Sequence, residues 1–208
     1  MLFRSIIAKL QETVLPGLRE RYPGLDIDLR GQSREAATTG GSVQSAFAFG
    51  LLGLFVVLAF QFRSYVTPVI VMIAIPFALA GALWGHILVG YPLSMPSIVG
   101  AASLAGIVVN DSILLVYFII KRAEAGQLPA EAAPLASRDR FRAVLLTSLT
   151  TILGLLPLLA EGSLQAQVLK PLVISVVFGL LAATVAVLLL IPAVYAILAD
   201  AGLDFAAK

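Results

Sequence analysis

The sequence lacks cysteine altogether, contains one histidine, and carries few charges for a chain of 208 residues. Without cysteine, a disulfide framework and a thiolate metal site are both excluded. Charged residues make up 12% of the chain, against roughly 25% in an ordinary soluble domain. The net charge of +2 gives no argument for nucleic-acid binding. No phosphate-binding loop, nucleophile triad or metal-ligand spacing occurs in the sequence, so it predicts neither an enzyme nor a metal site.

Hydrophobic residues, by contrast, make up 60% of the sequence. They are gathered in five runs that each contain or approach the roughly 20 apolar residues needed to cross a bilayer. A helix is the default for each run, because every backbone polar group must be satisfied internally within lipid. The sequence therefore predicts an all-α membrane bundle of five transmembrane helices within residues 44–198. The predicted spans are approximately 44–62, 66–90, 94–120, 141–160 and 168–198.

Residues 1–43 are the only part whose composition is typical of a soluble domain. In "LDIDLRG", the apolar residues Leu25, Ile27 and Leu29 alternate with charged ones, which predicts a half-buried strand. Apolar residues at helical spacing precede this strand. One helix and one strand cannot bury a core alone, so we interpret residues 1–43 as the remnant of a larger α/β unit. The sequence then reads as a fragment of a longer protein.

The distribution of basic residues predicts the orientation in the membrane. Basic residues concentrate in the first turn and in the connection 121–142, which the positive-inside rule assigns to the cytoplasm. Residues 1–43 are also basic, but the rule weakens for segments of translocated domains, so they are discounted. Residues 1–43 are therefore predicted outside and the tail 199–208 in the cytoplasm. The basic residues of the first turn and the connection 121–142 are Arg63, Lys121, Arg122, Arg138, Arg140 and Arg142.

One acidic residue, Asp111, lies well inside a predicted span, in "GIVVNDSILLV". An aspartate at the centre of a membrane helix costs roughly 2.5–3.5 kcal/mol on insertion scales, so such residues usually face the bundle interior and are functional. A carboxyl group that can be either neutral or charged is what a proton relay requires. The alternative is that Asp111 is a hydrogen-bonded acid that only ties helices together.

Small and polar residues surround Asp111 on the predicted helix. Ser103, Gly106, Asn110 and Tyr117 fall at helical spacing and form one stripe, with Asp111 one residue round from it. This stripe predicts a helix-packing role for Ser103 and Gly106.

Two further spans carry residues that suggest packing or a polar role. In the second span, Gly81 and Gly85 form a small-xxx-small pair that predicts close helix packing. In the fourth span, Thr147 lies one turn before Thr151. Thr147 either belongs to a polar pathway or only bonds to its own helix, and the sequence favours neither. His86 follows at the end of the second span, and its position predicts an interfacial side chain.

Four segments, in their order and spacing, resemble a known family of transporters. The segments are "QFRSYVTPVIVMIAIPFALAGALWGH", "LAGIVVNDSILLVYFI", "RFRAVLLTSLTTILGLLPL" and "VLKPLVISVVFGLLAATVAVLLLIPAVY". From about residue 10 to 198 the chain resembles the C-terminal end of a resistance–nodulation–division (RND) transporter, and most closely the hydrophobe/amphiphile multidrug efflux permeases.

The resemblance implies more than the composition does. Members of that family have twelve transmembrane helices in two related halves, so these spans would be the last five. Residues 1–43 would be the end of a periplasmic α/β porter subdomain. The family exports amphiphiles across the bacterial inner membrane with the proton gradient as energy source and no cofactor. Its implied partners are the missing N-terminal half, two further copies in a homotrimer, a periplasmic adaptor and an outer-membrane channel.

The resemblance also implies roles for individual residues in a proton relay. The family's relay is centred on acids of a helix that this chain lacks. Asn110 occupies the place of a lysine found in many drug exporters, with Asp111 next to it. Arg140 matches a family arginine, and Thr147 matches a relay threonine.

Two alternatives to multidrug export stay open. One is a lipid or hopanoid exporter of the same superfamily. The other is a structural membrane subunit without transport activity, in which Asp111 only holds helices together.

Overall fold

The computed structural model describes residues 32–200, and for residues 32–40, 129 and 200 it describes the backbone alone. The chain divides after Gly41 into two compact units, and the described bundle belongs to the second. Five helical spans within the described range are long and apolar enough to cross a membrane, which confirms the predicted number of spans. The helices are α1 (Gln32–Phe62), α2 (Val66–Met72), α3 (Ala74–Val89), α4 (Met95–Glu124), α5 (Pro129–Ala160) and α6 (Leu164–Asp200), and α2 and α3 together form the second span.

Helix α6 is the centre of the bundle and packs against α3, α4 and α5. Its residues Val173, Ile174 and Ile191 have no exposed surface. Because lipid tails are as apolar as these side chains, close van der Waals packing has to stabilise the helix contacts. The outward faces carry large apolar side chains such as Phe60 and Trp84, which are 81% and 62% exposed and suit a lipid environment.

The turns between helices are short and have clear local causes. Helix α3 ends where Gly90 adopts a left-handed conformation, with φ of 77°. Helix α4 begins after Ser94, whose backbone N–H donates a hydrogen bond of 3.1 Å to the Ser97 hydroxyl. The Ser64 hydroxyl accepts hydrogen bonds from the backbone N–H groups of Val66 and Thr67 at the start of α2. These turns reverse the chain within a few residues.

The second span consists of two helices, α2 and α3, which are separated at Ile73. Pro76 explains the interruption. A proline has no N–H to donate to the carbonyl four residues earlier, here that of Met72, and its ring crowds that carbonyl. The interruption therefore falls where a proline disturbs a helix.

Helix α6 continues through Pro192, and a side chain of α5 compensates for the missing N–H. The carbonyl four residues before Pro192 belongs to Leu188. The Ser137 hydroxyl donates a hydrogen bond of 2.8 Å to this carbonyl oxygen. Serine side chains of neighbouring helices are one of the ways in which membrane proteins satisfy a carbonyl freed by proline.

The connection predicted for residues 121–142 is helical over most of its length. Helix α4 continues to Glu124 and α5 begins at Pro129, so only residues 125–128 lie outside a helix. The start of α5 at Pro129 fits the preference of proline for the first position of a helix. The small side chains of Ala132, Ala133 and Ala136 that follow are fully buried. The outer turn is likewise shorter than predicted, because α6 already begins at Leu164.

The α/β remnant predicted for residues 1–43 lies mostly outside the described residues. This applies to the strand that includes Leu25, Ile27 and Leu29. Residues 32–43 are helical and continue into the first span. The described part of the chain is all-helical.

Candidate functional site

Asp111 lies near the middle of α4 with 9% of its surface exposed, and its neighbour Ser112 is fully buried. The Ser112 hydroxyl donates to the Val108 carbonyl of its own helix, at 2.8 Å. Within residues 41–199, no side chain donates a hydrogen bond to the Asp111 carboxylate. Asp111 is therefore a largely buried acid without a hydrogen-bond partner among these residues.

The basic residue Arg140 lies on α5, the helix that packs against α4 beside Asp111. Its guanidinium forms no direct ion pair with the Asp111 carboxylate in the described part of the chain. The guanidinium instead lies over the ring of Phe118, with its Cζ atom 4.9 Å from the ring centroid. The Arg140 charge is therefore held by an aromatic ring and not by the Asp111 carboxylate.

The same contact sets the register between α4 and α5. The two helices are joined by a short connection and pack against each other, so they run antiparallel. Phe118 follows Asp111 by seven residues on α4, and Thr147 follows Arg140 by seven residues on α5. With Arg140 at Phe118, Thr147 lies at the level of Asp111. The Thr147 hydroxyl donates to the Val144 carbonyl of its own helix, at 2.9 Å.

The polar stripe on α4 is exposed along its length. Asn110 and Tyr117 are exposed, as are Ser103 and Gly106. Ser103 and Gly106 line a cavity of about 420 Å³ between α1 and α4, and a Cβ atom at Gly106 would meet nothing within 4 Å. Gly106 therefore makes no close helix contact within the described residues.

Gly81 and Gly85 lie against α6. A Cβ atom at Gly81 would stand 2.9 Å from the Phe178 carbonyl oxygen and would also collide with Ala182. A Cβ atom at Gly85 would collide with the Phe178 side chain. Glycine at both positions thus allows α3 and α6 to approach closely.

The buried position of His86 was not predicted from the sequence. Its side chain is 4% exposed, with Nδ1 3.1 Å from the Tyr91 carbonyl oxygen and Nε2 3.0 Å from the Ser175 hydroxyl oxygen. Because the Tyr91 carbonyl only accepts, Nδ1 carries a proton in this arrangement. His86 therefore joins the end of α3 to α6 instead of facing the membrane–water interface. The sequence signal for this burial is the neighbouring Gly85, which packs against α6.

The contact of Phe118 with Arg140 was also missed. Its only sequence signal is the spacing of seven residues, which places Phe118 on the same face of α4 as Asp111.

Comparisons of the sequence with known proteins identify a family. Residues 7–199 match the family described as AcrB/AcrD/AcrF. The chain is 34% identical over 174 residues to the nickel-cobalt-cadmium resistance protein NccA of Alcaligenes xylosoxydans xylosoxydans. That match covers 83% of this chain and 16% of the relative, so the chain spans about a sixth of the relative's length.

The chain is also similar to solved structures of an efflux pump. Two crystal forms of a heavy metal efflux pump each superpose on the chain with a TM-score of 0.69 and 28% sequence identity. The matches cover 90% and 91% of this chain and 19% of the pump. These relatives are a metal resistance protein and a heavy metal efflux pump, so the hydrophobe/amphiphile branch expected from the sequence is not confirmed.

Proposed function

Because the chain belongs to the AcrB/AcrD/AcrF family of RND efflux permeases, we propose that it forms the C-terminal membrane section of a proton-driven efflux pump. In this proposal the chain is part of a secondary transporter of the bacterial inner membrane and catalyses no chemical reaction. Its task is energy coupling. The observation that carries the proposal is Asp111, a buried acid inside a membrane-length helix, which lies at the level of Thr147 on the adjacent α5.

The arrangement suits a group that gains and loses a proton. In general, burial favours a neutral carboxyl group, whereas a nearby positive charge favours the carboxylate. These opposed influences allow a modest change in the surroundings to alter the protonation state. A conformational change that alters the distance between the two groups would then be coupled to proton uptake or release.

The exposed polar stripe suggests where the rest of the pump lies. Polar groups such as those of Asn110 and Tyr117 are costly when they face lipid. We therefore assign this face of α4 to contact with helices of the N-terminal half, where acids of the family relay would lie beside Asp111 and Asn110. The proposed assembly is a homotrimer with a periplasmic adaptor and an outer-membrane channel. Residues 1–43 are assigned to the periplasm and the C-terminal tail to the cytoplasm.

The first candidate substrate is a divalent heavy-metal cation. The support is the similarity to the nickel-cobalt-cadmium resistance protein and to the heavy metal efflux pump. Within residues 41–199, no cluster of three or more His, Cys, Asp or Glu residues could hold a metal ion. The proposal therefore assigns cation selection to other parts of the pump. Export of amphiphiles or drugs is the second candidate, supported by the sequence resemblance, and a lipid or hopanoid is the third.

The structural alternative receives less support. An Asp111 that only ties helices together would hydrogen bond to a neighbouring helix. Among the described residues it has no such bond.

A chimera tests the proposed function. Residues 7–199 replace the matching segment of the nickel-cobalt-cadmium relative, and the chimera is expressed in a host that lacks metal efflux pumps. We expect resistance to nickel, cobalt or cadmium that disappears when a protonophore collapses the proton gradient. Membrane abundance and trimer content are measured in parallel.

Three results would contradict parts of the proposal. Resistance that persists in the protonophore would contradict proton coupling. Absence of metal resistance in a chimera that assembles normally in the membrane would contradict the proposed role of this section in energy coupling. Failure of the chimera to accumulate in the membrane, while the unmodified relative accumulates normally, would contradict the claim that this chain supplies the equivalent section.

A further inference from the structure

Arg140 occupies an unusual environment for a guanidinium group. Its Nε atom is buried and has no hydrogen-bond partner among the described residues. A buried donor without a partner is costly. The Phe118 ring, whose centroid is 4.9 Å from Cζ, supplies the interaction that the group otherwise lacks, because a guanidinium is attracted to the face of an aromatic ring.

The ring is itself held in place. Phe118 is partly buried against the core of the bundle. Tyr117 contacts it edge-on, with the two ring centroids 6.1 Å apart and an angle of 80° between the ring planes. The position of the Arg140 charge is therefore set by a side chain with little freedom.

The Phe118 ring lies near Asp111 along α4. Seven residues correspond to about two helical turns, or roughly 10 Å along the axis. Long helical side chains lean toward the N-terminus, so the Phe118 ring leans toward Asp111. The guanidinium over the ring then lies in the same part of the α4–α5 contact as Asp111, and it forms no ion pair with the carboxylate.

We propose that Phe118 is a positioning residue of the coupling site, which holds the Arg140 charge over its ring and leaves the Asp111 carboxyl free to exchange a proton. A direct ion pair between Arg140 and Asp111 would hold the carboxylate in its charged form. An Arg140 side chain released from the ring would reach other partners or solvent and lose its influence on Asp111. This inference rests on the proposed function, because it assigns Phe118 a role in proton coupling.

The Arg140–Phe118 contact could affect export only by joining α4 to α5, and this structural role has to be distinguished from the positioning role. Next to Arg140, Asp139 forms an ion pair with Arg122, one turn beyond Phe118 on α4. The ion pair and the ring contact both join α4 to α5. Asp139→Asn therefore serves as the matched control, since it removes a link between the same two helices without touching the ring.

The first experiment detects the contact in the 208-residue chain, reconstituted in lipid nanodiscs, by NMR of the arginine Nε–Hε groups. The face of an aromatic ring shields nearby protons, so we expect an upfield-shifted Arg140 resonance, identified by its loss in Arg140→Lys. The shift should disappear in Phe118→Leu and persist in Phe118→Tyr and Asp139→Asn. An Arg140 resonance that is the same in Phe118→Leu as in the unsubstituted chain would overturn the positioning role.

The second experiment measures proton-driven export in the chimera at matched membrane abundance. Phe118→Leu should lower export by roughly 2- to 30-fold, the factor that corresponds to the loss of a cation–π contact, and Phe118→Tyr should restore it. Phe118→Leu should have no further effect in an Arg140→Gln background. Equal losses in Phe118→Leu and Phe118→Tyr would show a packing role and overturn the proposal.

The two experiments separate the two claims. If the NMR signature behaves as expected but Asp111→Asn exports normally, the proposed proton coupling through Asp111 fails while the Arg140–Phe118 contact stands. If export depends on Asp111 but the NMR signature is insensitive to Phe118→Leu, the coupling stands and the positioning role fails.

Discussion

At the scale of single residues, the absence of a side chain at Gly81 determines how closely α3 approaches α6. A Cβ atom there would stand 2.9 Å from a backbone carbonyl oxygen of α6, which cannot move without the helix. We predict that Gly81→Ala lowers the free energy of unfolding of the chain by about 1–3 kcal/mol, the usual cost of overpacking. The measurement is denaturation of the 208-residue chain in detergent, followed by circular dichroism.

Gly154 provides the matched control for this prediction. It also lies inside a long helix, but a Cβ atom there would meet nothing within 4 Å. Alanine is the better helix former, so Gly154→Ala should leave stability unchanged or raise it by up to about 1 kcal/mol. Equal effects at both positions would contradict a close α3–α6 contact at Gly81.

The sequence predicted the importance of some site residues but not the contacts of others. Asp111 could be found because an acid in a long apolar run is costly and therefore conspicuous. The Arg140–Phe118 contact could not, because it depends on the register between two helices that the sequence of neither helix determines. The burial of His86 was missed because its hydrogen-bond partner Ser175 lies 89 positions away in the chain.

At the scale of helices, the hydrogen bond from Ser137 to the Leu188 carbonyl links α5 to the proline-containing part of α6. Ser137→Ala leaves this carbonyl without a partner, because Pro192 cannot donate to it. We predict a loss of stability of about 1 kcal/mol, which is typical of interhelical hydrogen bonds in membranes. In a Pro192→Ala background, the restored N–H can donate to the Leu188 carbonyl, so the same substitution should cost clearly less.

Ser103→Ala is the control for the Ser137 prediction. The Ser103 hydroxyl donates only to the Val99 carbonyl of its own helix, at 2.9 Å, so its removal should change stability little in either background. A loss at Ser137 that is the same with and without Pro192 would contradict the proposed compensation. Both double-substitution comparisons use the same detergent denaturation.

The number of membrane helices could be predicted from hydropathy alone, but some of their ends could not. The connection 121–142 reads as polar because its charged residues stand out. Its alanines become recognisable as a buried helix face only when α5 is seen packed in the bundle. Alanine is common in surface helices and in buried helices, so composition alone does not distinguish the two.

At the scale of the whole molecule, the predicted orientation has a direct test. The chain has no cysteine, so single cysteines introduced by Leu128→Cys and Gly162→Cys report the two sides of the membrane. With the connection between α4 and α5 in the cytoplasm, an impermeant thiol reagent applied to intact cells should label the variant at position 162 and spare the one at 128. Both should react after the membrane is permeabilised, and the opposite pattern in intact cells would invert the topology.

The central claim is that Asp111 couples proton movement to export. The most direct measurement is the export rate of the chimera as a function of an imposed pH gradient, for the unsubstituted protein and for Asp111→Asn at matched membrane abundance. Asparagine keeps the size of the side chain but cannot release a proton. We predict normal trimer assembly with export largely lost and no longer dependent on the gradient. Indistinguishable curves for the two proteins would remove Asp111 from the mechanism and contradict the proposed coupling.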